Sequence, residues 1–145
     1  MRYLLDASAL LPLISRSGED LLSKTQRESL ITTDLAVYEA CNSLWKLARL
    51  LRSLSLEDAS AVVAMIRDLT ARRLIQVRSF AEIDLSGTLK IAFSENLTFY
   101  DASYIATAEN ADAILVTEDR RLRETAVKYV ETMTYGDLEK RLSQG

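Results

Sequence analysis

The 145-residue sequence contains no histidine, a single cysteine, a single proline and four glycines. Without histidine there is no Ser-His-Asp triad, no Cys-His pair and no imidazole general base. One cysteine excludes a disulfide framework and a multi-cysteine zinc site. Scarce proline and glycine exclude collagen-like and low-complexity chains. No apolar run approaches the ~20 residues that span a bilayer. Asp6 interrupts the apolar start too early for a signal peptide, so a soluble cytoplasmic protein with no membrane contact is expected. No glycine-rich phosphate loop follows the first apolar run, which disfavours a small-molecule nucleotide binder. Any enzyme chemistry must rest on carboxylates, lysine, tyrosine, the cysteine or a metal.

What is present fits one folded domain over residues 1–145: 48% of residues are hydrophobic and 27% charged. Eighteen basic against 21 acidic residues leave a net charge of −3, so any nucleic-acid contact must come from a local basic patch. Short apolar or β-branched runs at Tyr3–Leu5, Leu30–Thr33, Leu74–Val77, Ala113–Val116 and Val130–Met133 predict strands. Between them, a short helix or a turn broken at Pro12 is expected over Ala7–Ile14, and helical patterns from Ser17 through Lys24, after Thr33 or Asp34, after Ser55, and over Phe80–Phe93 (with Ile83, Leu85, Leu89 and Ala92 apolar), Tyr100–Asn110, Arg120–Tyr129 and Asp137–Leu142. Leu35, Tyr38, Cys41, Trp45, Ala48 and Leu51 recur at helical steps, and this stripe is expected to pack on the core. Ser55 and Asp58 suit a capping box, and Asn96 a left-handed helix stop. Alternating strands and helices predict an α/β fold: a three-layer α/β/α sandwich around a mostly parallel, five-stranded sheet.

In open α/β sheets, sites lie beyond the carboxyl ends of the strands. Asp6 follows the first strand and Asp119 the fourth, so both face one crevice if those strands are neighbours. Asp101 opens a helix, and Glu39 lies inside an apolar one, where partial burial is expected. Asp6, Asp101 and Asp119 also suit helix caps, whereas a cap does not explain Glu39. Asp34, Asp58 and Asp137 read as caps, and Asp84 and Asp112 as surface acids, Asp84 being nearer the site. Four converging carboxylates raise one another's pKa, and a hard divalent cation such as Mg2+ or Mn2+ relieves the repulsion. Carboxylates that gather such a cation can activate water against a phosphate with no imidazole.

The pieces Tyr3-Leu4-Leu5-Asp6-Ala7-Ser8, Tyr38-Glu39-Ala40-Cys41-Asn42, Leu97-Thr98-Phe99-Tyr100-Asp101-Ala102-Ser103-Tyr104 and Leu115-Val116-Thr117-Glu118-Asp119 together resemble the PIN-domain ribonucleases, and within them the VapC toxins of VapBC toxin–antitoxin pairs. The resemblance implies the five-stranded α/β/α fold and a metal-dependent endoribonuclease that leaves 5′-phosphate ends. It implies metal-binding and catalytic roles for Asp6, Glu39, Asp101 and Asp119. Ser8 and Thr117 match positions where a hydroxyl supports the acids, although a plain turn role suits each. It further implies an RNA substrate, a small VapB-like antitoxin partner and a homodimer. Alternatives are an RNA-processing PIN nuclease without a toxin role and a catalytically silent PIN interaction module. Asn96 stands where many relatives carry glycine, and Glu118 adds an acid beside Asp119.

Arg120 and Arg121 follow Asp119 and suit phosphate contact, while Arg123 reads as solvated helix face. Lys46 and Arg49, with Arg52, line one side of the Glu39 helix and could track an RNA backbone. Trp45 and Tyr100 could stack on bases, but their spacing favours a core role. Cys41 reads as a small buried hydrophobe. Leu10, Leu11, Leu13 and Ile14, with the Leu44–Leu54 stretch, suggest more apolar surface than one small domain covers, and a partner face is expected around Leu10, Leu13 and Trp45.

Overall fold

The computed structural model describes residues 1–18, 20–24 and 27–144, so Glu19 of the expected second helix lies outside the described residues. The strands are β1 (Arg2–Leu5), β2 (Ser29–Thr33), β3 (Ile75–Arg78), β4 (Ile114–Val116) and β5 (Thr132–Met133). They form one parallel sheet in the order β3-β2-β1-β4-β5, with Leu4 opposite Ile31 on one side and Leu115 on the other. The helices are α1 (Ala7–Ser17), α2 (Leu21–Lys24), α3 (Asp34–Trp45), α4 (Leu56–Ala71), α5 (Leu85–Glu95), α6 (Phe99–Asn110), α7 (Arg120–Ala126) and α8 (Tyr135–Ser143).

Period-two alternation assigns the strand side chains to two cores. Tyr3, Leu5, Leu30, Ile114 and Val116 join α1, α4 and α8 on one face. Leu4, Ile31 and Leu115 join α5, α6 and α7 on the other. Both faces are covered, as a parallel sheet requires. Thr32 is buried within β2 because its hydroxyl donates to the Leu5 carbonyl at 2.8 Å, which satisfies the polar atom across the strand pair.

Several expectations need correction. Leu10, Leu13 and Ile14 are fully buried, so they belong to the core and offer no partner surface. Pro12 does not break α1, although its ring nitrogen cannot donate to the Ser8 carbonyl one turn back. The core face of α3 is Ala36, Ala40 and Leu44, whereas Tyr38 and Leu51 are exposed and Trp45 keeps 52% of its surface. Two small residues and Leu44 make up this face, along which α3 packs mainly on α1, and the large apolar residues Tyr38, Trp45 and Leu51 are turned outward. Tyr100, at 63% exposure, is likewise outside the core. The expected helix over Phe80–Phe93 is a 3-10 turn at Phe80–Glu82 followed by α5, which Asp84 caps through the Gly87 amide. Of the apolar positions expected along this helix, Ala92 is buried but Leu85 and Leu89 are exposed, and Thr88 and Ile91 are buried with Ala92. Cys41 is half-buried. α3 ends in a π-helical turn, Lys46–Leu50. Among the described residues no helix is long and apolar enough to cross a membrane.

Candidate functional site

The chain adds β2 and β3 on one side of β1, then reverses to add β4 and β5 on the other. A crevice opens at such a reversal, beyond the carboxyl ends of the two central strands. Asp6 follows β1 and Asp119 stands three residues past β4, so both project there, with Leu5 paired to Val116. Glu39 arrives from the second turn of α3 and Asp101 from the first turn of α6. The result is an open pocket of about 230 Å³ lined by Asp6, Glu39, Asp101 and Asp119 together with Ser8, Ser43 and Tyr104.

Asp6 is 5% exposed and caps α1, its Oδ1 accepting from the Ala9 amide at 3.1 Å and the Ser8 hydroxyl at 2.6 Å. Its Oδ2 accepts the Thr117 hydroxyl. Burial pushes its carboxyl above the usual range, against the pull of those hydrogen bonds. Thr117, fully buried, also accepts from the Asp119 amide at 3.1 Å, and so ties the β4 end to the β1 end. Ser8 accepts the Glu118 amide at 2.9 Å. Both hydroxyls therefore brace the Asp6 carboxylate directly.

Asp119 caps α7, its Oδ1 accepting from the Leu122 amide at 3.1 Å. Asp101 is not the cap of α6: Thr98 is, accepting the Asp101 amide at 3.1 Å, and the Asp101 carboxylate is left on the pocket side. Burial raises the Asp101 pKa, and the charge of Asp119 raises it further, while Thr98 and Arg121 act in the opposite direction. Glu39 is exposed rather than partly buried, at the pocket rim, with Oε1 accepting from the Tyr104 hydroxyl at 2.9 Å. Tyr104 is 2% exposed, and its burial and the Glu39 charge hold the phenol far above its ordinary pKa, firmly protonated.

The remaining residues separate clearly. Glu118 turns away from the pocket and accepts the Tyr135 amide at 2.5 Å, at the start of α8. Arg123 donates to the Thr117 carbonyl at 2.7 Å, which makes it a brace for the β4 end and not a solvated residue. Arg120 pairs with Glu124 in solvent. Arg121 is exposed and near enough to Asp101 to act on its titration. Lys46 and Arg49 are exposed on the π turn, outside the pocket lining. Asp34 braces the loop after β3, its Oδ2 accepting the Phe80 amide at 2.7 Å, with Thr33 as the α3 cap. Asp137 sits in the capping box that Thr134 opens at α8. Tyr104 and Ser43 are pocket residues that pattern reading passes over; the signal for Tyr104 is its place three residues after Asp101, on the same helix face.

The donors suit a hard cation. All are oxygens, no basic side chain lines the pocket, and two carboxyls carry raised pKa values that a positive charge would relieve. Among the described residues no three acids close into a tight metal cage.

The PIN domain family model matches residues 3–128. Ribonuclease VapC3 of Pyrobaculum aerophilum is 38% identical over 128 residues, covering 86% of this chain and 94% of the relative. Exonuclease VapC9 of the same organism is 37% identical over 122 residues, covering 84% of each. A crystal structure of a Pyrobaculum aerophilum protein superposes with a TM-score of 0.76 at 31% identity, covering 100% of both chains. The structure of VapBC-1 from nontypeable Haemophilus influenzae has a TM-score of 0.63 at 14% identity, covering 94% of this chain and 99% of that one, a likeness of fold.

Proposed function

The chain belongs to the PIN domain family, and we propose that it is a divalent-cation-dependent endoribonuclease, the toxin of a toxin–antitoxin pair. The convergence of Asp6, Glu39, Asp101 and Asp119 on one pocket at the β1–β4 reversal carries the proposal. A relative named a ribonuclease supports RNA as substrate. Asp6 and Asp101 would hold Mg2+ or Mn2+, with Asp119 completing the oxygen set and Glu39 orienting water or a second ion. When bound, such a cation supplies a Lewis acid for the phosphate and a water of lowered pKa. Ser8 and Thr117 keep Asp6 fixed by donating to both of its oxygens. Arg121, exposed and close enough to Asp101 to lower its pKa, has a guanidinium that would be available to the phosphate. With no histidine to remove the ribose 2′ proton, the cyclic-phosphate route is disfavoured, and hydrolysis by water would leave the 5′-phosphate and 3′-hydroxyl that the family resemblance implies.

For the antitoxin, the fold likeness to VapBC-1 is joined by a surface of the right kind. Two adjoining hollows of about 420 and 440 Å³ run between α3 and α4 and share Cys41 and Val63. The exposed side chains of Tyr38, Trp45 and Leu56 flank them, which moves the partner face away from Leu10 and Leu13. Exposed Leu85, Leu89 and Phe93 recur every four residues on α5 and supply a separate face for a second copy.

Circular and linear RNAs incubated with Mn2+ test the activity. Cutting of circles with 5′-phosphate products is expected. Products from linear RNA alone would favour the exonuclease reading that one relative's name suggests. Cyclic phosphate termini, or full cleavage in excess EDTA, would rule the mechanism out.

A further inference from the structure

Glu39 differs from the other three pocket acids in having no support from the backbone or side chains of its own helix. Asp6 and Asp119 are held by the amides they cap, and Asp101 has a short side chain on a helix buried for most of its length. Glu39 has a longer side chain at an exposed helical position, where several rotamers are open to it. Its carboxylate is nevertheless fixed, because the Tyr104 hydroxyl reaches it from α6 at 2.9 Å. Tyr104 is a rigid donor: it is buried in the second core, which also holds Leu4, Ala36 and Ile105, and it lines the pocket. Asp101 and Tyr104 lie three residues apart on one face of α6, so this helix supplies one acid and clamps another. Engaging Oε1 leaves Oε2 without a hydrogen bond among the described residues.

We propose that Tyr104 is a positioning residue: its hydroxyl holds Glu39 Oε1 so that Oε2 is presented to the cation or water of the pocket. The proposal rests on the divalent-cation reading above and deepens it. A tyrosine suits the task better than a lysine or arginine. It donates one hydrogen bond with no charge, so it orients the carboxylate without neutralising the field that attracts the cation. Loss of such a supporting contact typically costs about tenfold or more in metal affinity.

The test is a Mn2+ titration by calorimetry on wild type, Tyr104→Phe, Glu39→Ala and the double variant, with melting curves and RNA cleavage in parallel. Phenylalanine keeps the ring, so the melting temperature should stay close to wild type. Mn2+ affinity should fall about tenfold in Tyr104→Phe, with kcat reduced and the KM for RNA unchanged. In the Glu39→Ala background the same substitution should change nothing further. Wild-type affinity in Tyr104→Phe overturns the proposal, and so does an equal loss in both backgrounds, because the hydroxyl would then act on something other than Glu39. Should Tyr104→Phe melt too low to assay, Glu39→Asp replaces it: a carboxylate too short for the Tyr104 hydroxyl loses affinity, and unchanged affinity overturns the proposal. Failure of the wild-type chain itself to bind Mn2+ is a separate result, which defeats the divalent-cation reading and the positioning role together.

Discussion

An aspartate at a helix start can cap the helix or serve a site, and Asp6 and Asp119 do both in geometry. Each uses Oδ1 for the amide three residues on, and each still lines the pocket. The cap aims the carboxylate, because a strand that ends directly before a helix presents its last polar side chain at the crevice. Asp101 carries a measurable consequence. Its pKa is raised by burial and by Asp119, so its folded form binds a proton more readily than its unfolded form. Stability from that proton is full below the ordinary carboxylate pKa and is lost as pH rises through the raised value. Without metal, the wild-type melting temperature should therefore fall relative to that of Asp101→Asn as pH climbs from about 4 toward neutrality, and Mn2+ should close the gap. Parallel curves across pH would show that the carboxyl is not strained in the fold. Thr117→Val should cost about 2 kcal/mol in urea denaturation, since it strips a donor from a buried carboxylate and leaves the Asp119 amide unpaired. A change below about 0.5 kcal/mol would mean that solvent replaces the hydroxyl. The positions of the acids were readable because strand ends and a mid-helix glutamate stand out in a sequence. Tyr104 was not, since a tyrosine within an apolar helix resembles ordinary core until the facing glutamate is placed.

At the level of elements, order and type followed from the pattern, and facing did not. Helical spacing identifies α3, but Tyr38, Trp45 and Leu51 share that spacing with nothing to say which side is buried. The buried face takes Ala36 and Ala40, and a count of hydrophobicity undervalues alanine. The same error affected α5, where Thr88 is buried and Leu89 is not. Helix ends were more legible, because capping chemistry is local: Thr33, Ser55 and Asn96 stop or start helices as their side chains dictate. Asn96 sits at φ 52°, ψ 43°, where a Cβ is costly and an asparagine is tolerated. Asn96→Ala should lower stability by about 1 kcal/mol, and Asn96→Gly should leave it nearly unchanged, both read by denaturant midpoint. An alanine as stable as the native residue would place the left-handed turn outside the energetics of α5.

For the whole molecule, the two outward apolar faces make distinct predictions. Phe93 is 89% exposed, so Phe93→Glu should leave the melting temperature intact while light scattering changes from dimer to monomer. A wild-type chain that is already monomeric at high micromolar concentration would remove the α5 face from consideration. Under the proposed toxin reading, Trp45→Glu should leave RNA cleavage unchanged and weaken antitoxin binding, measured by calorimetry with the purified partner. Retained affinity would move the antitoxin off the α3–α4 groove.

The central position of β1 has a bearing on how the protein is made. β1 precedes the other four strands in the chain, and β2 can cover one of its edges early, but the other edge waits for β4. Everything from Asp34 to Ala113 must be synthesised in between, roughly 4 to 16 s of translation. For that interval Asp6 has no Thr117 to hold it and no Asp119 beside it. A growing chain therefore lacks the assembled acid pocket until β4 and Asp119 have been made.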